Sequence, residues 1–205
     1  DFLAGRSVFI NDGTAKSVVN QGEIRTPAGG SVYLIGSNVT NEGIITTPKG
    51  ETILAAGATV SLIDSATPGV KVDITGAEGN ATNLGTITAE AGRIGIAGVV
   101  VKNSGRISAS SVVEQGGRIF LRATKKIELA EASRVGADGT VGGDVTAIVI
   151  DGGKIAGALL ANGEISAKGN GTGGSGGFVE TSAAQVSIDD GFRANTGGGH
   201  WLIDH

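Results

Sequence analysis

The residues that could support catalysis in this chain of 205 residues are few. Enzymes that cleave acidic polysaccharides use clustered carboxylates, often with Ca²⁺ and an Arg or Lys base. The candidates for such chemistry are Asp189 and Asp190 with Arg193, and Asp64 with Asp73. Neighbouring residues of a strand point to opposite faces, so Asp189 and Asp190 indicate a turn instead. A polysaccharide lyase or hydrolase is therefore only a remote alternative for this sequence.

The two histidines, His200 and His205, lie near Asp204. His200 and Asp204 share one face of an extended strand, but about 13 Å would separate them. With no other histidine in the chain, a Ser-His-Asp triad cannot form elsewhere. The absence of cysteine removes disulfides and thiolate metal ligands. We predict no catalytic site, no metal and no cofactor.

Three asparagines begin N-x-S/T sequences and are candidate sites of glycan attachment. They are Asn38, Asn80 and Asn170.

The composition limits the fold and the partners. Glycine accounts for 37 of the 205 residues, which disfavours helices because an interior glycine costs about 1 kcal/mol relative to alanine. No run of about 18 apolar residues occurs, so we predict no transmembrane segment. The net charge is −4 and the basic residues are scattered, so we expect no nucleic-acid partner.

A repeated phrase supplies the main structural signal. Residues 18–24 (VVNQGEI) recur at 39–45 (VTNEGII), 81–87 (ATNLGTI) and 101–107 (VKNSGRI). The asparagines of the first two copies are 21 residues apart, those of the second and third 42, and those of the last two 20. Because 42 is twice 21, the spacing predicts an intervening unit that lost the phrase. Repeats of this length mark a solenoid, whose units bury apolar surface only by stacking.

Each unit contains short runs in which apolar residues alternate with polar ones, such as Val32 with Leu34 and Ile119 with Leu121. This period indicates half-buried strands. We predict an all-β, right-handed parallel β-helix with about 20 or 21 residues and three short strands per coil. It forms a single domain over residues 1–205, with irregular coils or excursions near 60–80, 134–154 and 168–177.

The asparagine of the repeated phrase has a structural interpretation. Identical asparagines that stack along an axis can form a ladder of side-chain hydrogen bonds. We predict such a ladder from Asn20, Asn41, Asn83 and Asn103.

Several phrases resemble the filamentous-haemagglutinin-like exoproteins of two-partner secretion. They are DFLAG at 1–5, the repeated V-x-N-x-G-x-I, GGSVYLIG at 29–36 and LAAG at 54–57. GGFVETS at 176–182 and WLID at 201–204 are similar to the high-molecular-weight adhesin branch. The resemblance implies a secreted right-handed β-helix, exported through an outer-membrane secretion partner, and in that branch some members are glycosylated. The chain lacks the family's Asn-Pro-Asn-Gly signal and continues WLID with His205 instead of Pro. The resemblance therefore predicts a segment downstream of the secretion signal, beginning near the end of the secretion domain.

The expected function is that of a non-enzymatic extracellular stalk at the bacterial cell surface. It would act in adhesion or surface display, with a host or cell-surface receptor as partner. The alternative is the structural subunit of an extracellular filament, a homopolymer formed by head-to-tail contacts between apolar coil ends. The residues expected in those contacts are Phe2, Leu3, Trp201, Leu202 and Ile203.

Overall fold

The computed structural model describes residues 6–12, 14, 16–63, 71–170 and 175–205. These residues form 23 strands and no helix, which confirms the all-β prediction. In chain order the strands are β1 (Arg6–Ile10), β2 (Val18–Asn20), β3 (Glu23–Arg25), β4 (Ser31–Gly36), β5 (Val39–Asn41), β6 (Ile44–Thr46), β7 (Glu51–Ala56), β8 (Thr59–Ile63), β9 (Lys71–Thr75), β10 (Asn80–Asn83), β11 (Thr86–Thr88), β12 (Arg93–Asn103), β13 (Arg106–Ser108), β14 (Arg118–Leu129), β15 (Arg134–Gly136), β16 (Asp144–Asp151), β17 (Lys154–Ile155), β18 (Ala158–Ala161), β19 (Glu164–Ser166), β20 (Phe178–Ser182), β21 (Gln185–Ile188), β22 (Arg193–Asn195) and β23 (His200–Asp204).

Most strands pair in parallel with an equivalent strand of the units before and after, and together they build three stacks. The asparagine stack contains β2, β5, β10, the second half of β12, the second half of β14, β18 and β21. The short stack contains β3, β6, β11, β13, β15, β19 and β22. The long stack contains β4, β7, the first half of β12, the first half of β14, β16, β20 and β23.

The units are less uniform in length than the sequence predicted. The first and third units keep the predicted length, since Asn20 stacks on Asn41 and Asn83 on Asn103. Later units are longer, because Val101 pairs with Ile127 and Ile127 in turn pairs with Leu159. The added residues lie in corner loops, in the β16–β17 hairpin and at a bulge of β14 opposite β12. A constant coil length was therefore a wrong prediction for the second half of the chain.

One recurring hydrogen bond at the corner between the short and long stacks explains how loops of different lengths fit there. There the backbone N–H of a glycine donates to a carbonyl a few residues earlier. Gly50 donates to Thr47, but Gly117 donates to Ala109 and Gly177 to Ala167. The same bond therefore closes corners of very different lengths, and insertions leave the strands in register.

The 42 residues between Asn41 and Asn83 do not contain an additional unit that lost the repeated phrase, so that prediction was wrong. Asn41 pairs directly with Asn83. The intervening residues complete the second unit with β7 and then leave the stacks as an antiparallel pair, β8 and β9. Strand β1 joins the other edge of β8 and completes a small antiparallel sheet. The turn between β8 and β9 lies outside the described residues.

The irregularity expected near 134–154 is confined to two places. Strands β15 and β16 pair in register with their neighbours on both sides. The departures are a corner loop between β15 and β16 and a hairpin in which β17 pairs back on β16. In the segment near 168–177, residues 171–174 lie outside the described residues, and strands resume in the stacks on either side.

The main core lies between the three stacks and consists of columns of aliphatic side chains. Ile45, Ile87 and Ile107 occupy successive positions of the short stack and are fully buried. Each isoleucine buried in this way contributes roughly 1.5–3 kcal/mol. A second cluster lies outside the long stack, where the antiparallel sheet packs Val60, Leu62 and Val72 onto the outer side of β7. All six residues of β7 are consequently buried.

Close backbone contact between units requires glycine in the asparagine-glycine phrase. A Cβ added to Gly43 would lie 2.0 Å from the carbonyl oxygen of Gly22, and one on Gly85 would lie 2.1 Å from that of Gly43. No side chain fits there without separating the units.

This contact predicts that alanine substitution lowers stability at one glycine and leaves it almost unchanged at the equivalent glycine of the first unit. Gly43→Ala is expected to lower the free energy of unfolding by more than about 2 kcal/mol, because the methyl group would overlap backbone. Gly22→Ala is its matched control, since only the Asn20 side chain lies near its added Cβ, at 4.0 Å. It should change stability by less than about 0.5 kcal/mol. Urea unfolding followed by circular dichroism tests this, and equal losses for both variants would contradict it.

Candidate functional site

The four asparagines of the repeated phrase lie one above another in a continuous column. Asn20 Nδ2 donates to Asn41 Oδ1 at 2.8 Å, Asn41 Nδ2 to Asn83 Oδ1 at 2.9 Å, and Asn83 Nδ2 to Asn103 Oδ1 at 2.9 Å. Each Nδ2 also donates to the carbonyl two residues later, at 3.2 or 3.3 Å. The column thus joins units to one another and fixes the corner within each unit.

The column ends in a residue that the repeat did not indicate. Asn103 Nδ2 donates to Ser133 Oγ at 2.6 Å, and Ser133 is fully buried. At the other end, Asn20 Oδ1 accepts from the backbone N–H of Gly22 at 3.2 Å. Every member of the column is buried and hydrogen-bonded, so its amides are structural and offer no exposed chemistry.

A buried carboxylate lies on the outer side of the long stack. Glu51 is 2% exposed, accepts a hydrogen bond from the Tyr33 hydroxyl at 2.7 Å, and pairs with Arg93 Nε at 3.0 Å. Tyr33, Glu51 and Arg93 come from three successive units. Burial, together with the hydrogen bond to Glu51, raises the pKa of Tyr33 above its usual 10.0. The cluster couples adjacent units and, with its groups mutually paired, presents no unpaired carboxylate.

Among the described residues, the carboxylates proposed for sugar chemistry do not form a catalytic cluster. Asp189 and Asp190 are exposed at a turn, and Arg193 Nη1 donates to the backbone carbonyls of Asp190 and Phe192. Asp73 forms an ion pair with Arg122 at 3.1 Å, and Asp64 lies outside the described residues. Among the described residues, no three His, Cys, Asp or Glu side chains are grouped closely enough to hold a metal ion.

The apolar residues near the end of the chain form part of the last unit. Trp201 pairs with Val179 and Ile203 with Thr181, both buried positions of the long stack, whereas Leu202 continues the outward row. The Trp201 ring lies 5.6 Å from that of Phe192, and its Nε1 donates to Thr181 Oγ1 at 3.1 Å. Phe2 and Leu3 lie outside the described residues.

The three candidate glycan sites differ in accessibility. Asn80 and Asn170 are exposed. Asn38 is half-buried, and its Oδ1 accepts a hydrogen bond from the Asn80 backbone N–H at 2.9 Å. Thr172, which completes the third sequence, lies outside the described residues.

A shallow groove of about 140 Å³ lies on the outer face of the short stack. Arg106 and Arg134 line it from successive strands, with Glu164 3.7 Å from Arg134. At the corner, Asp138 Oδ1 accepts from the Lys168 backbone N–H at 2.7 Å and also from the Ser166 hydroxyl. An open surface with charges of both signs can contact polar groups of a partner, but it does not enclose a reacting centre.

A corner loop between β13 and β14 carries two strongly exposed apolar side chains. Val112 and Val113 are 85% and 73% exposed. The loop is braced, since Ser111 Oγ accepts from the backbone N–H groups of Val113 and Glu114, and Glu114 pairs with Lys49 at 2.5 Å. This ion pair raises the pKa of Lys49.

Comparisons with known proteins agree with this architecture. No family model and no curated protein matches the chain. Among solved structures it is similar to the HMW1 secretion domain from Haemophilus influenzae, with 26% sequence identity and a TM-score of 0.64. The match covers 96% of this chain and 69% of that one. The chain thus aligns with a secretion domain itself, whereas the sequence predicted a segment that begins near the end of one. The described residues contain no helical segment that could span a membrane.

The asparagine column predicts that an aspartate in it lowers the free energy of unfolding by an amount that depends on pH. In Asn83→Asp one carboxylate oxygen would keep the hydrogen bond from Asn41 Nδ2. The oxygen that replaces Nδ2 would face only acceptors, namely Asn103 Oδ1 and the carbonyls of Gly85 and Arg106. Burial among acceptors should raise the pKa of this Asp above its unfolded value of about 3.9. The variant is expected to lose about 3 kcal/mol at pH 7.

The sign of the pH dependence follows from the raised pKa. Below about pH 4 the group is protonated in both states, so the loss is smallest. As the pH rises towards the folded-state pKa, folding requires proton uptake and the loss grows. Denaturant unfolding of Asn83→Asp and wild type from pH 3.5 to 8 measures this, with the exposed Asn80→Asp as control. If the difference in unfolding free energy between Asn83→Asp and wild type does not change with pH, the proposed raised pKa at this position is contradicted.

Tyr33 offers a direct spectroscopic test of the Glu51 cluster, because it is the sole tyrosine of the chain. Its absorbance at about 295 nm should titrate above pH 10, since Tyr33 has a raised pKa. Glu51→Gln should lower that pKa, and Arg93→Gln should raise it further, because Arg93 opposes the shift. The stability that protonated Tyr33 contributes is intact below pH 10 and lost as the pH rises through the folded-state pKa. If Tyr33 titrates at its usual pH and neither Glu51→Gln nor Arg93→Gln changes this, the contact between Tyr33 and Glu51 is contradicted.

Proposed function

We propose that the three stacks are the faces of one right-handed parallel β-helix spanning the chain as a single domain. The in-register pairing of each unit with the next supports this proposal. Parallel crossovers within a sheet are right-handed in nearly all known cases, which favours that hand here. Such a helix is a stiff rod, because every unit is hydrogen-bonded to both neighbours.

We infer that this rod is a non-enzymatic, exported part of a bacterial surface protein of the two-partner secretion type. The observation that carries the inference is the likeness to the HMW1 secretion domain over 96% of the chain. The phrases shared with filamentous-haemagglutinin-like exoproteins point the same way. Three of the described carboxylates support the non-enzymatic part, since Glu51, Asp73 and Asp144 are each engaged in an ion pair with an arginine of another strand.

The physical role that follows is export and subsequent folding outside the cell. A chain without cysteine can cross a membrane unfolded without disulfide chemistry. Once outside, each folded unit leaves a strand edge on which the next can pair, so the rod grows in chain order. An outer-membrane secretion partner would pass the chain, and the finished rod would hold its outer faces away from the cell.

Adhesion or surface display would then use those outer faces. The groove lined by Arg106 and Arg134 and the braced loop carrying Val112 and Val113 are the candidate contacts for a host or cell-surface receptor. Glycans attached at the exposed Asn80 and Asn170 would lie on the same outer surface, and mass spectrometry of native material tests their presence.

The export proposal is tested in the parent bacterium by inserting an epitope tag into the full-length protein. The β16–β17 hairpin suits the insertion, because added Cβ atoms at Gly152 and Gly153 would meet nothing within 4 Å. Antibody should label intact cells, and deletion of the outer-membrane partner should abolish labelling. A tag beside Gly85, where backbone contact forbids additions, is the matched control and should abolish surface display. Equal labelling with and without the partner, or labelling only after lysis, would overturn the proposal.

A further inference from the structure

The groove on the outer face of the short stack lies where that stack continues on both sides. Its lining residues come mainly from β13, β15 and β19, and each of these strands pairs with one strand before it and one strand after it. The lining side chains therefore belong to three successive units and are held at the strand spacing of about 4.8 Å. The groove is a fixed feature of the stacked units.

Two arginines lie side by side in this groove. Arg106 and Arg134 occupy equivalent outward positions of neighbouring strands, and like charges directly opposite each other destabilise a sheet. Arg134 is engaged, because its Nε lies 3.7 Å from Glu164 Oε2 and its Nη1 donates to two backbone carbonyls at 2.9 and 2.8 Å. Arg106 is exposed and has no hydrogen-bond or ion-pair partner among the described residues. Its guanidinium is therefore available to an anion from outside the chain.

Hydroxyl groups line another part of the groove. The Ser108 hydroxyl oxygen accepts from the backbone N–H of Ser110 at 3.4 Å, and the Ser110 hydroxyl oxygen accepts from that of Asp138 at 2.9 Å. Neither hydroxyl donates to a group among the described residues, so each keeps its hydrogen for a ligand. The Ser166 hydroxyl differs, since it donates to Asp138 Oδ1.

Gly136 leaves the space between these hydroxyls open. The outward positions of its row carry side chains in the neighbouring units, as Thr88, Ser108 and Ser166 do. A Cβ added to Gly136 would lie 3.3 Å from the Ser110 hydroxyl oxygen, so a side chain there would occupy the groove. Gly136 does not have a positive φ, so the backbone conformation does not require glycine. The open space is what distinguishes this position.

The charge and size of the groove favour an anionic group of a larger molecule. Arg106, Arg134 and Lys168 line it together with two carboxylates, Asp138 and Glu164. The lining thus carries a net positive charge, although the net charge of the whole chain is −4. A volume of about 140 Å³ is too small to enclose a whole drug-sized ligand. The groove can take one charged group and leave the rest of the ligand outside.

We propose that this groove binds a phosphate or sulfate group carried as an ester on a sugar. Arg106, Arg134 and the two serine hydroxyls can donate to a tetrahedral oxyanion from several directions, whereas a carboxylate offers its acceptors in one plane. Glu164 follows Arg134 in the same row and can accept from sugar hydroxyls beside the ester. The inference rests on the receptor contact proposed for this groove and names the class of its ligand.

Titration of the purified chain with sugar esters tests the ligand class. The probes are the sulfate and phosphate esters of glucose, with glucose and glucuronate as controls. The backbone amide signals of Ser110 and Gly136 should shift and saturate in NMR spectra with at least one ester. Sodium chloride should weaken this binding, because salt screens exposed charges. Glucose should give no shift, and glucuronate should bind more weakly than the ester.

Two variants test the groove by different routes. Arg106→Gln removes the unpaired charge and should weaken ester binding about tenfold or more. Gly136→Thr keeps the charge and adds the side chain that Thr88 has in the same row, so it should abolish binding by filling the groove. Arg193→Gln is the matched control, since Arg193 shares the outward row of Arg106 but lies outside the groove. It should change the affinity by less than about twofold.

Circular dichroism and thermal unfolding establish that each variant is folded, as expected for threonine at a strand position. Preference for one ester identifies the source of the ligand, a phosphorylated saccharide or a sulfated one, and either preference supports the proposal.

Three outcomes would overturn the inference. They are no saturable shift with either ester, glucuronate binding as tightly as both esters, and unchanged affinity in the folded Arg106→Gln and Gly136→Thr variants. Each of them would leave the proposed export of the rod untouched, because surface display in the parent bacterium tests export separately.

Discussion

Close stacking of backbone on backbone is the constraint on which the rest of this structure depends. At the corner before the long stack, a Cβ on Gly92 would lie 2.4 Å from the Gly50 carbonyl oxygen, and one on Gly117 would lie 2.1 Å from that of Gly92. The same contact recurs to Gly199. Without it, the strands could not approach to hydrogen-bonding distance, and the inward aliphatic columns would not pack. The asparagine column adds side-chain hydrogen bonds to this arrangement and does not replace it.

Variation is confined to places where it cannot disturb that contact. Corner loops of different lengths begin and end at the same hydrogen bond, as between Gly117 and Ala109 or Gly177 and Ala167. The antiparallel sheet of β1, β8 and β9 leaves the stacks after β7 and returns to cover its outer side. The interior is therefore uniform, while the outer surface differs from unit to unit. Any specific recognition must come from that outer surface.

The polar groups of the described residues fit a scaffold better than an enzyme. The buried Glu51 is paired with Tyr33 and Arg93 across units, and the buried asparagines are bonded to one another. Arg118 and Asp144 form a further pair between neighbouring strands, 3.4 Å apart. These groups stabilise the stacking of units. Together with the likeness to a secretion domain, this use of polar residues supports an exported rod whose contacts lie on its outer faces.

The all-β class, the parallel strands and the residues that stack could all be predicted from the sequence, because each unit repeats a local pattern of alternation and turns. The sequence also determined that Asn20, Asn41, Asn83 and Asn103 are equivalent. The direct stacking of Asn41 on Asn83 could be seen only in the folded chain, because a hairpin and a lost unit give the same spacing in the sequence. The tertiary structure also decided that Ser133 ends the column and that β7 is buried on both sides. Those features depend on contacts between distant residues, which a repeated local pattern does not encode.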